Sequence, residues 1–150
     1  MTAANCTSFG LGKMFIQNAS KADVAAGNHK DPGTNSMLIQ IADPAGTFPD
    51  PAYPFSTVHQ FRFLDLEEKD SPEMDDFKIT DIQAHLLVAL LEAAKLEDMN
   101  VIVHCSAGIC RSGAVTEVGV MMGFEDTGRH RTPNLLVKYK MMKALGWTYE

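Results

Sequence analysis

The sequence is poor in cysteine, in basic residues and in long apolar runs. Its 150 residues include only three cysteines, and 13 Lys and Arg stand against 19 Asp and Glu, giving a net charge of −6. The longest apolar stretch, around residues 86–91, is far shorter than the ~20 residues that cross a bilayer, and residues 1–13 lack the pattern of a secretory leader. We therefore expect an unexported protein with reduced thiols in a cytoplasm-like compartment and no membrane partner.

The acidic residues are also unevenly placed. Seven of them fall between residues 65 and 76, where Lys69 is the one offsetting cation: Asp65, Glu67, Glu68, Asp70, Glu73, Asp75 and Asp76. So many carboxylates are not buried together, and the segment is predicted to be an exposed loop. The acidic balance opposes binding to polyphosphate backbones, so nucleic acid is not an expected partner.

Composition otherwise fits one ordinary globular domain spanning residues 1–150, with 45% hydrophobic and 21% charged residues. Two helices are predicted from capping boxes. Ser20 with Asp23 begins the first, Lys21–Ala26, and Thr80 with Gln83 begins the second, which ends near Asp98. The second carries apolar residues at helical spacing: Ile79, Ile82, Leu86, Leu87, Leu90, Leu91 and Ala94.

Three segments have strand character, and two further helices follow the last of them. The strands are Met37–Ile41, Val58–Leu64 and Asn100–His104, of which the last is short, β-branched and typical of a central strand covered on both faces. Met14–Gln17 is a further short apolar run. Helices are predicted over Ser112–Met122 and from an N-cap at Thr132-Pro133 through Ala144, closed by Gly146. The pattern predicts an α/β fold, a central, mostly parallel sheet flanked by helices.

The segment His104–Gly113 joins the predicted central strand to the start of a helix. Unpaired N–H groups and the positive end of the helix dipole converge at such a place, which favours an anion and the thiolate form of a cysteine. Cys105 is therefore a candidate nucleophile. Arg111 lies six positions later and can grip two oxygens of a tetrahedral oxyanion through its planar guanidinium.

The sequence HCSAGICRSG resembles the His-Cys-x5-Arg-Ser/Thr-Gly signature of the cysteine-dependent tyrosine phosphatases. The chain length and the signature's place in the second half are similar to the dual-specificity class, and the chain from Met37 onward more weakly resembles compact bacterial and phage-encoded members. The resemblance implies a dual-specificity-phosphatase-like fold and hydrolysis of phosphotyrosine, with phosphoserine and phosphothreonine as further substrates if the pocket is shallow. It implies a phosphorylated protein or peptide as partner and no cofactor or metal.

The same resemblance assigns roles to the residues of the loop. Cys105 would attack phosphorus and form a cysteinyl-phosphate, while Arg111 and the loop amides would hold the phosphoryl oxygens. His104 would orient the loop and favour the thiolate, and Ser112 would donate a hydrogen bond to the departing sulfur. The phosphate-binding amides would come from Ser106, Ala107, Gly108, Ile109, Cys110 and Arg111.

A general acid is also required, and in this family it is an aspartate on a loop upstream of the cysteine. Asp65, 40 residues before Cys105, follows a predicted strand in a Phe-Leu-Asp-Leu-Glu setting that resembles the acid-bearing segment of the compact phosphatases. Asp70 is the alternative acid, followed by Asp75 and Asp76. No Trp-Pro-Asp triplet is present to mark the residue.

Cys110 departs from the commonest signature, which has glycine at that position. Two thiols five positions apart around an anion-binding turn can meet if the loop rearranges, which suggests a reversible Cys105–Cys110 disulfide that protects against overoxidation. The alternative is that Cys110 is a small buried filler. Cys6, near the terminus, is interpreted as incidental.

Other functions remain open from the sequence alone. A phosphate-binding pseudophosphatase or adaptor would keep Cys105 and Arg111 without a working acid, and a phosphatase of a non-protein phosphoester would share the same loop. His29, His59 and His85 show no metal-ligand spacing with the cysteines, so no metal site is expected.

Overall fold

The structure is a computed structural model that describes residues 13–147. These residues form one five-stranded, all-parallel sheet with helices on both faces. The elements are β1 (Phe15–Ser20), α1 (Lys21–Ala26), β2 (Ser36–Ala42), β3 (Thr57–Arg62), α2 (Asp81–Leu96), β4 (Asn100–Cys105), α3 (Arg111–Met121), β5 (Glu125–Asp126) and α4 (Leu135–Ala144). The strand order is β3-β2-β4-β1-β5. The predicted α/β class with a parallel sheet is confirmed. Cys6 lies outside the described residues.

Strand β4 occupies the centre of the sheet, between β1 and β2. Val101 and Val103 belong to the larger apolar cluster, together with residues of α2, α3 and α4, whereas Ile102 belongs to a smaller cluster on the opposite face with Val24 of α1. The prediction of a central strand covered on both faces is confirmed. Because all strands are parallel, the segments that follow β1, β2, β3 and β4 emerge at the same edge of the sheet.

Both capping boxes form as predicted, at Ser20 for α1 and at Thr80 for α2. The buried face of α2 differs from the predicted one. Its buried residues are Ala84, Leu87, Val88, Leu91 and Ala94. Ile82 is 73% exposed and Leu86 is 52% exposed, because the helix turns its 84–88–91 row toward the sheet and leaves these two side chains on the flanks.

The predicted start of the last helix is wrong. Helix α4 begins at Leu135 with Asn134 as its N-cap, rather than at Thr132-Pro133. The Asn134 side chain accepts a hydrogen bond from the Val137 N–H, while the Thr132 N–H donates to the carbonyl of Ile109. Thr132 therefore belongs to a connection that packs on the preceding loop. Gly146, with φ near +80°, follows the helix as predicted.

The strand predicted at Val58–Leu64 is β3, which ends at Arg62 and forms an edge of the sheet. Val58 is exposed there, so the expected alternation of buried and exposed residues is only partly present. The acidic segment that follows is exposed as predicted but is ordered by a 3-10 helix, Pro72–Phe77, and by Lys78. The Lys78 ammonium is nearly buried, pairs with Asp75 at 2.8 Å and donates to the backbone carbonyl of Asp70.

Two short strands were not assigned from the sequence. Strand β1 extends the apolar run at Met14–Gln17 through the buried polar residue Asn18, and β5 has two residues that pair with Phe15 and Ile16. Within residues 13–147, no helix is both long and apolar enough to cross a bilayer.

Candidate active site

The loop between β4 and α3 lies where the central strand leaves the sheet. Strand β4 ends at Cys105, residues 106–110 form a series of bends, and α3 begins at Arg111. No side chain among the described residues caps the N-terminus of α3. Its first N–H groups and the positive end of its dipole therefore face the loop, which is the arrangement that binds anions.

The carbonyl groups of the loop are tied to the surrounding scaffold. The Ser106 carbonyl accepts from the Lys21 N–H (3.2 Å), the Ile109 carbonyl from Thr132 (3.1 Å) and the Cys110 carbonyl from Asn134 (3.0 Å). By contrast, the N–H groups of residues 106–111 donate no hydrogen bond to any group within residues 13–147. The loop carbonyls are thus bonded to the scaffold, whereas the loop N–H groups are free to bind an oxyanion. We call this arrangement the cradle.

Strand β1 closes the far side of this cradle. The Asn18 Nδ2 donates to the Gly108 carbonyl at 2.7 Å and to the His130 carbonyl at 2.9 Å. Gly108 itself has φ near +76°, and a Cβ at this position would lie 2.4 Å from the backbone carbon of Ala19. Only glycine allows both the left-handed backbone and this close approach.

Cys105 lies at the base of the loop and is 3% exposed. Its Sγ is 3.2 Å from the Oγ of Ser112, which is fully buried in the first turn of α3. The sequence places these residues seven positions apart, and the turn from strand to helix brings them into hydrogen-bond contact. The hydroxyl is therefore positioned to donate to the sulfur, as the signature implies.

The Arg111 guanidinium is buried and folds back over the loop. Its Nη2 lies 3.5 Å from the Ser106 Oγ, while its Nη1 donates to Asp43 Oδ1 and to the Phe63 carbonyl, both at 2.7 Å. Asp43 directly follows β2 and was not selected from the sequence. Asp43 is 68 residues from Arg111 in the chain, so no local pattern links the two residues. The one feature of the sequence that could have indicated Asp43 is its position directly after a predicted strand.

His104 is buried next to the nucleophile and makes its hydrogen bond with the backbone. Its Nδ1 lies 3.5 Å from the Cys105 carbonyl, and its Nε2 has no partner among the described residues. Burial lowers the pKa of His104 from 6.5 to about 4, outweighing the opposite effect of that hydrogen bond. The ring is neutral at pH 7 and therefore brings no positive charge to the sulfur.

Asp65 is the acidic-segment residue that lies against the loop. Its Oδ1 accepts a hydrogen bond from the Asn134 Nδ2 at 2.7 Å, and its negative charge acts on the Cys110 thiol. Burial raises the pKa of the Cys110 thiol, and the neighbouring Asp65 carboxylate raises the pKa further. Asp70, the alternative acid, instead faces its own segment, where its Oδ2 accepts from the Glu67 N–H at 2.6 Å.

Two arginines near the site are committed to other carboxylates. Arg129 pairs with Asp23 at 3.3 Å and Arg131 pairs with Asp126 at 3.0 Å. Both side chains thus join loops of the scaffold.

Together, the parallel sheet, the cysteine-containing cradle after its central strand and the returning arginine define the fold as that of the dual-specificity phosphatases. Human DUSP28 is similar to this chain with a TM-score of 0.52 and 16% identity, over 89% of this chain and 81% of that one. OH1 from the Orf virus, described as a tyrosine phosphatase with triple substrate specificity, aligns with a TM-score of 0.48 and 19% identity, over 74% of this chain and 57% of its own. No protein-family model and no curated protein matches the sequence. The fold implied by the signature is confirmed.

Proposed function

We propose that the protein is a phosphoprotein phosphatase that hydrolyses phosphotyrosine through a cysteinyl-phosphate intermediate. The observation that carries this proposal is the loop after Cys105: the N–H groups of residues 106–111 donate no hydrogen bond within residues 13–147, and the Arg111 guanidinium reaches the start of the loop at Ser106. A phosphoryl group, which carries several acceptor oxygens, can use both the free amides and the guanidinium.

In the first step, the Cys105 thiolate attacks phosphorus in line with the leaving oxygen, forming an S–P bond as the P–O bond breaks. Charge on the transferred phosphoryl oxygens is stabilised by the loop amides and by Arg111. Protonated Asp65 gives its proton to the leaving phenolate or alkoxide, so the leaving group departs as a neutral alcohol.

In the second step, a water molecule attacks phosphorus and the S–P bond breaks. Asp65, now ionised, takes a proton from this water and is thereby restored. The Ser112 hydroxyl, 3.2 Å from the sulfur, donates a hydrogen bond to the departing thiolate. Each step uses side chains of this chain alone.

Two contacts support Asp65 rather than Asp70 as the acid. The Asp65 carboxylate interacts with Cys110, which belongs to the phosphate loop. The Asp70 carboxylate accepts the Glu67 N–H and so closes a turn within the acidic segment. The acid must reach the leaving oxygen, which lies on the open side of the cradle.

The test is turnover of p-nitrophenyl phosphate and of a phosphotyrosine peptide without added metal. We expect turnover that vanadate inhibits, abolished in Cys105→Ser and reduced at least ~100-fold in Arg111→Lys, since an ammonium does not replace the bidentate guanidinium. Cys6→Ser is the matched control for loss of a thiol and should retain activity. Turnover that survives Cys105→Ser would overturn the proposal.

The same assay separates the other candidate functions. Tight binding of the phosphopeptide to the wild-type protein without any turnover would show a phosphate-binding adaptor. Turnover of small phosphoesters together with inactivity on phosphotyrosine, phosphoserine and phosphothreonine peptides would show a phosphatase of a non-protein substrate. Comparing the three peptides also measures how deep the pocket is, because only phosphotyrosine reaches the base of a deep one.

A further inference from the structure

Asn134 joins three parts of the molecule through its own atoms. Its backbone N–H donates to the Cys110 carbonyl in the phosphate loop at 3.0 Å, and its Oδ1 accepts the Val137 N–H at the start of α4. Its Nδ2 donates to Asp65 Oδ1 at 2.7 Å and to the Leu66 carbonyl at 3.0 Å. The residue is 2% exposed, so its own polar atoms are shielded from water.

Glu67 provides a second attachment between the acidic segment and α4. One carboxylate oxygen accepts the Leu135 N–H and the other accepts the Leu136 N–H, both at 3.0 Å. These are N–H groups of the first turn, which have no partner within the helix, and the helix dipole favours the negative charge there. The segment carrying Asp65 is thus fastened to the N-terminus of α4 at two points.

The Asp65 carboxylate is held from the start of α4 as a result. Asn134 donates to it, and its negative charge lies near enough to the phosphate loop to raise the pKa of the Cys110 thiol. A surface carboxylate without such donors samples several rotamers. Here the same residue that caps α4 also fixes the distance between the acid and the loop.

We propose that Asn134 is a positioning residue that holds the Asp65 carboxylate over the phosphate loop through its side-chain amide, separately from its role as the cap of α4. This inference rests on the proposed function, because it assigns Asp65 a proton-transfer role. A positioning role of Asn134 would be detected in the reaction rates. Misplacing the acid slows reactions whose leaving group needs a proton and leaves those with a good leaving group nearly unchanged.

The two roles of Asn134 are separable by substitution. Asn134→Ser keeps an oxygen that can cap the helix and removes the amide that donates to Asp65, whereas Asn134→Ala removes both. Thr80→Ala is the matched control, because it deletes the N-cap of α2 without touching the acidic segment. If Asn134→Ser does not fold by circular dichroism, Asn134→Thr replaces it, since threonine also has an oxygen that can cap the helix, lacks the amide donor and adds no charge beside Asp65.

The measurement is kcat/KM for p-nitrophenyl phosphate and for phenyl phosphate, with thermal unfolding as a check of the fold. For Asn134→Ser we expect kcat/KM to fall about 10- to 100-fold with phenyl phosphate and less than about threefold with p-nitrophenyl phosphate. Thr80→Ala should lower the melting temperature while keeping the wild-type ratio between the two substrates. A folded Asn134 variant with the wild-type ratio would overturn the inference.

The outcomes also separate this inference from the proposed function. A wild-type protein that turns over neither substrate contradicts the phosphatase itself. A wild-type protein that turns over both, combined with an unchanged substrate ratio in the Asn134 variant, contradicts only the positioning role. If Asp65→Asn changes the ratio and Asn134→Ser does not, Asp65 is the acid but is held in place by other contacts.

Discussion

The Nη1 atom of Arg111 lies 2.7 Å from Oδ1 of Asp43, a residue at the end of β2 that is 68 positions away in the chain. The Asp43 side chain is half exposed, whereas the guanidinium is buried. The same nitrogen also reaches the Phe63 carbonyl. One end of the guanidinium is thereby fixed, and its remaining N–H groups keep a defined direction toward the loop.

Replacing Asp43 with asparagine tests whether this contact prepares Arg111 for the oxyanion. We expect kcat/KM to fall about tenfold and the inhibition constant for vanadate to rise by a similar factor, because the guanidinium loses its fixed orientation. Asp50→Asn is the matched control, since Asp50 is an exposed aspartate on the same connection. Tighter vanadate inhibition in Asp43→Asn would show instead that this carboxylate opposes anion binding by charge.

Ser112→Ala should slow the second chemical step more than the first. The Ser112 hydroxyl is placed to stabilise the sulfur as it leaves phosphorus, so its loss should let the cysteinyl-phosphate accumulate. Rapid mixing should then show a burst of p-nitrophenol followed by a steady rate about 10- to 100-fold below wild type. Thr116→Val removes another buried α3 hydroxyl, one that has no hydrogen-bond partner within residues 13–147, and should leave the kinetics unchanged. An equal loss in both phases would argue against the assigned role.

Gly108→Ala should prevent formation of the cradle. The added Cβ would lie 2.4 Å from the Ala19 backbone, and the residue would also have to keep a positive φ. Gly128→Ala is the matched control, because Gly128 has a similar φ and open space around it. We expect a cost of about 1 kcal/mol for Gly128→Ala and several-fold more for Gly108→Ala in urea unfolding. An equal loss of unfolding free energy in the two variants would mean that the β1 backbone shifts to accommodate the added Cβ.

His104 should make the folded state less stable as the pH falls below neutral. Its pKa is lowered to about 4, so between that value and 6.5 the unfolded chain binds a proton that the folded protein does not. The free energy of unfolding should therefore decrease through this window, by at most about 3 kcal/mol. Urea unfolding of the wild type and of His104→Asn near pH 7 and near pH 5 isolates the effect, since all other groups cancel. Parallel pH dependences in the two proteins would contradict it.

The two thiols of the loop should form a disulfide after mild oxidation. Peroxide converts the Cys105 thiolate to a sulfenic acid, and the Cys110 thiolate then displaces hydroxide, leaving an S–S bond with a net loss of two hydrogens. Because burial and Asp65 raise the pKa of Cys110, the bridge should form faster at higher pH. Mass spectrometry of the loop peptide detects it, and dithiothreitol should restore activity. Sulfinic acid at Cys105 without any bridge would reject this prediction.

Local rules were sufficient for the parts of the fold that depend on neighbouring residues. The capping boxes at Ser20 and Thr80 are closed by residues three positions away, so the sequence pattern contains all of the partners. The strand before Cys105 could be predicted because a β-branched run of this kind is too short for a helix and favours a strand. The phosphate loop was recognised for a similar reason, since its reactive residues lie within one turn.

Contacts between distant segments were beyond such rules. Asn18 supports the loop from 90 residues away and Asp43 holds Arg111 from 68, and each depends on which strands become neighbours in the sheet. The start of α4 was misplaced for the same reason, because Thr132 looks like a cap locally and is engaged by Ile109 of the phosphate loop in the folded chain. The pattern of residues along the chain does not predict these long-range contacts, because they depend on the order of the strands in the sheet.

The hydrogen bonds accepted by the loop carbonyls determine when the phosphate loop can be completed during synthesis of the chain. A chain still on the ribosome that has been synthesised through Gly113 carries every residue of the signature, together with Asn18 of β1 and Lys21 of α1, which contact the loop. It lacks Thr132 and Asn134, whose N–H groups hold the carbonyls of Ile109 and Cys110. Because the chain is synthesised from its N-terminus, the loop of a nascent polypeptide has all of these carbonyl partners only once Asn134, the residue before α4, has been added.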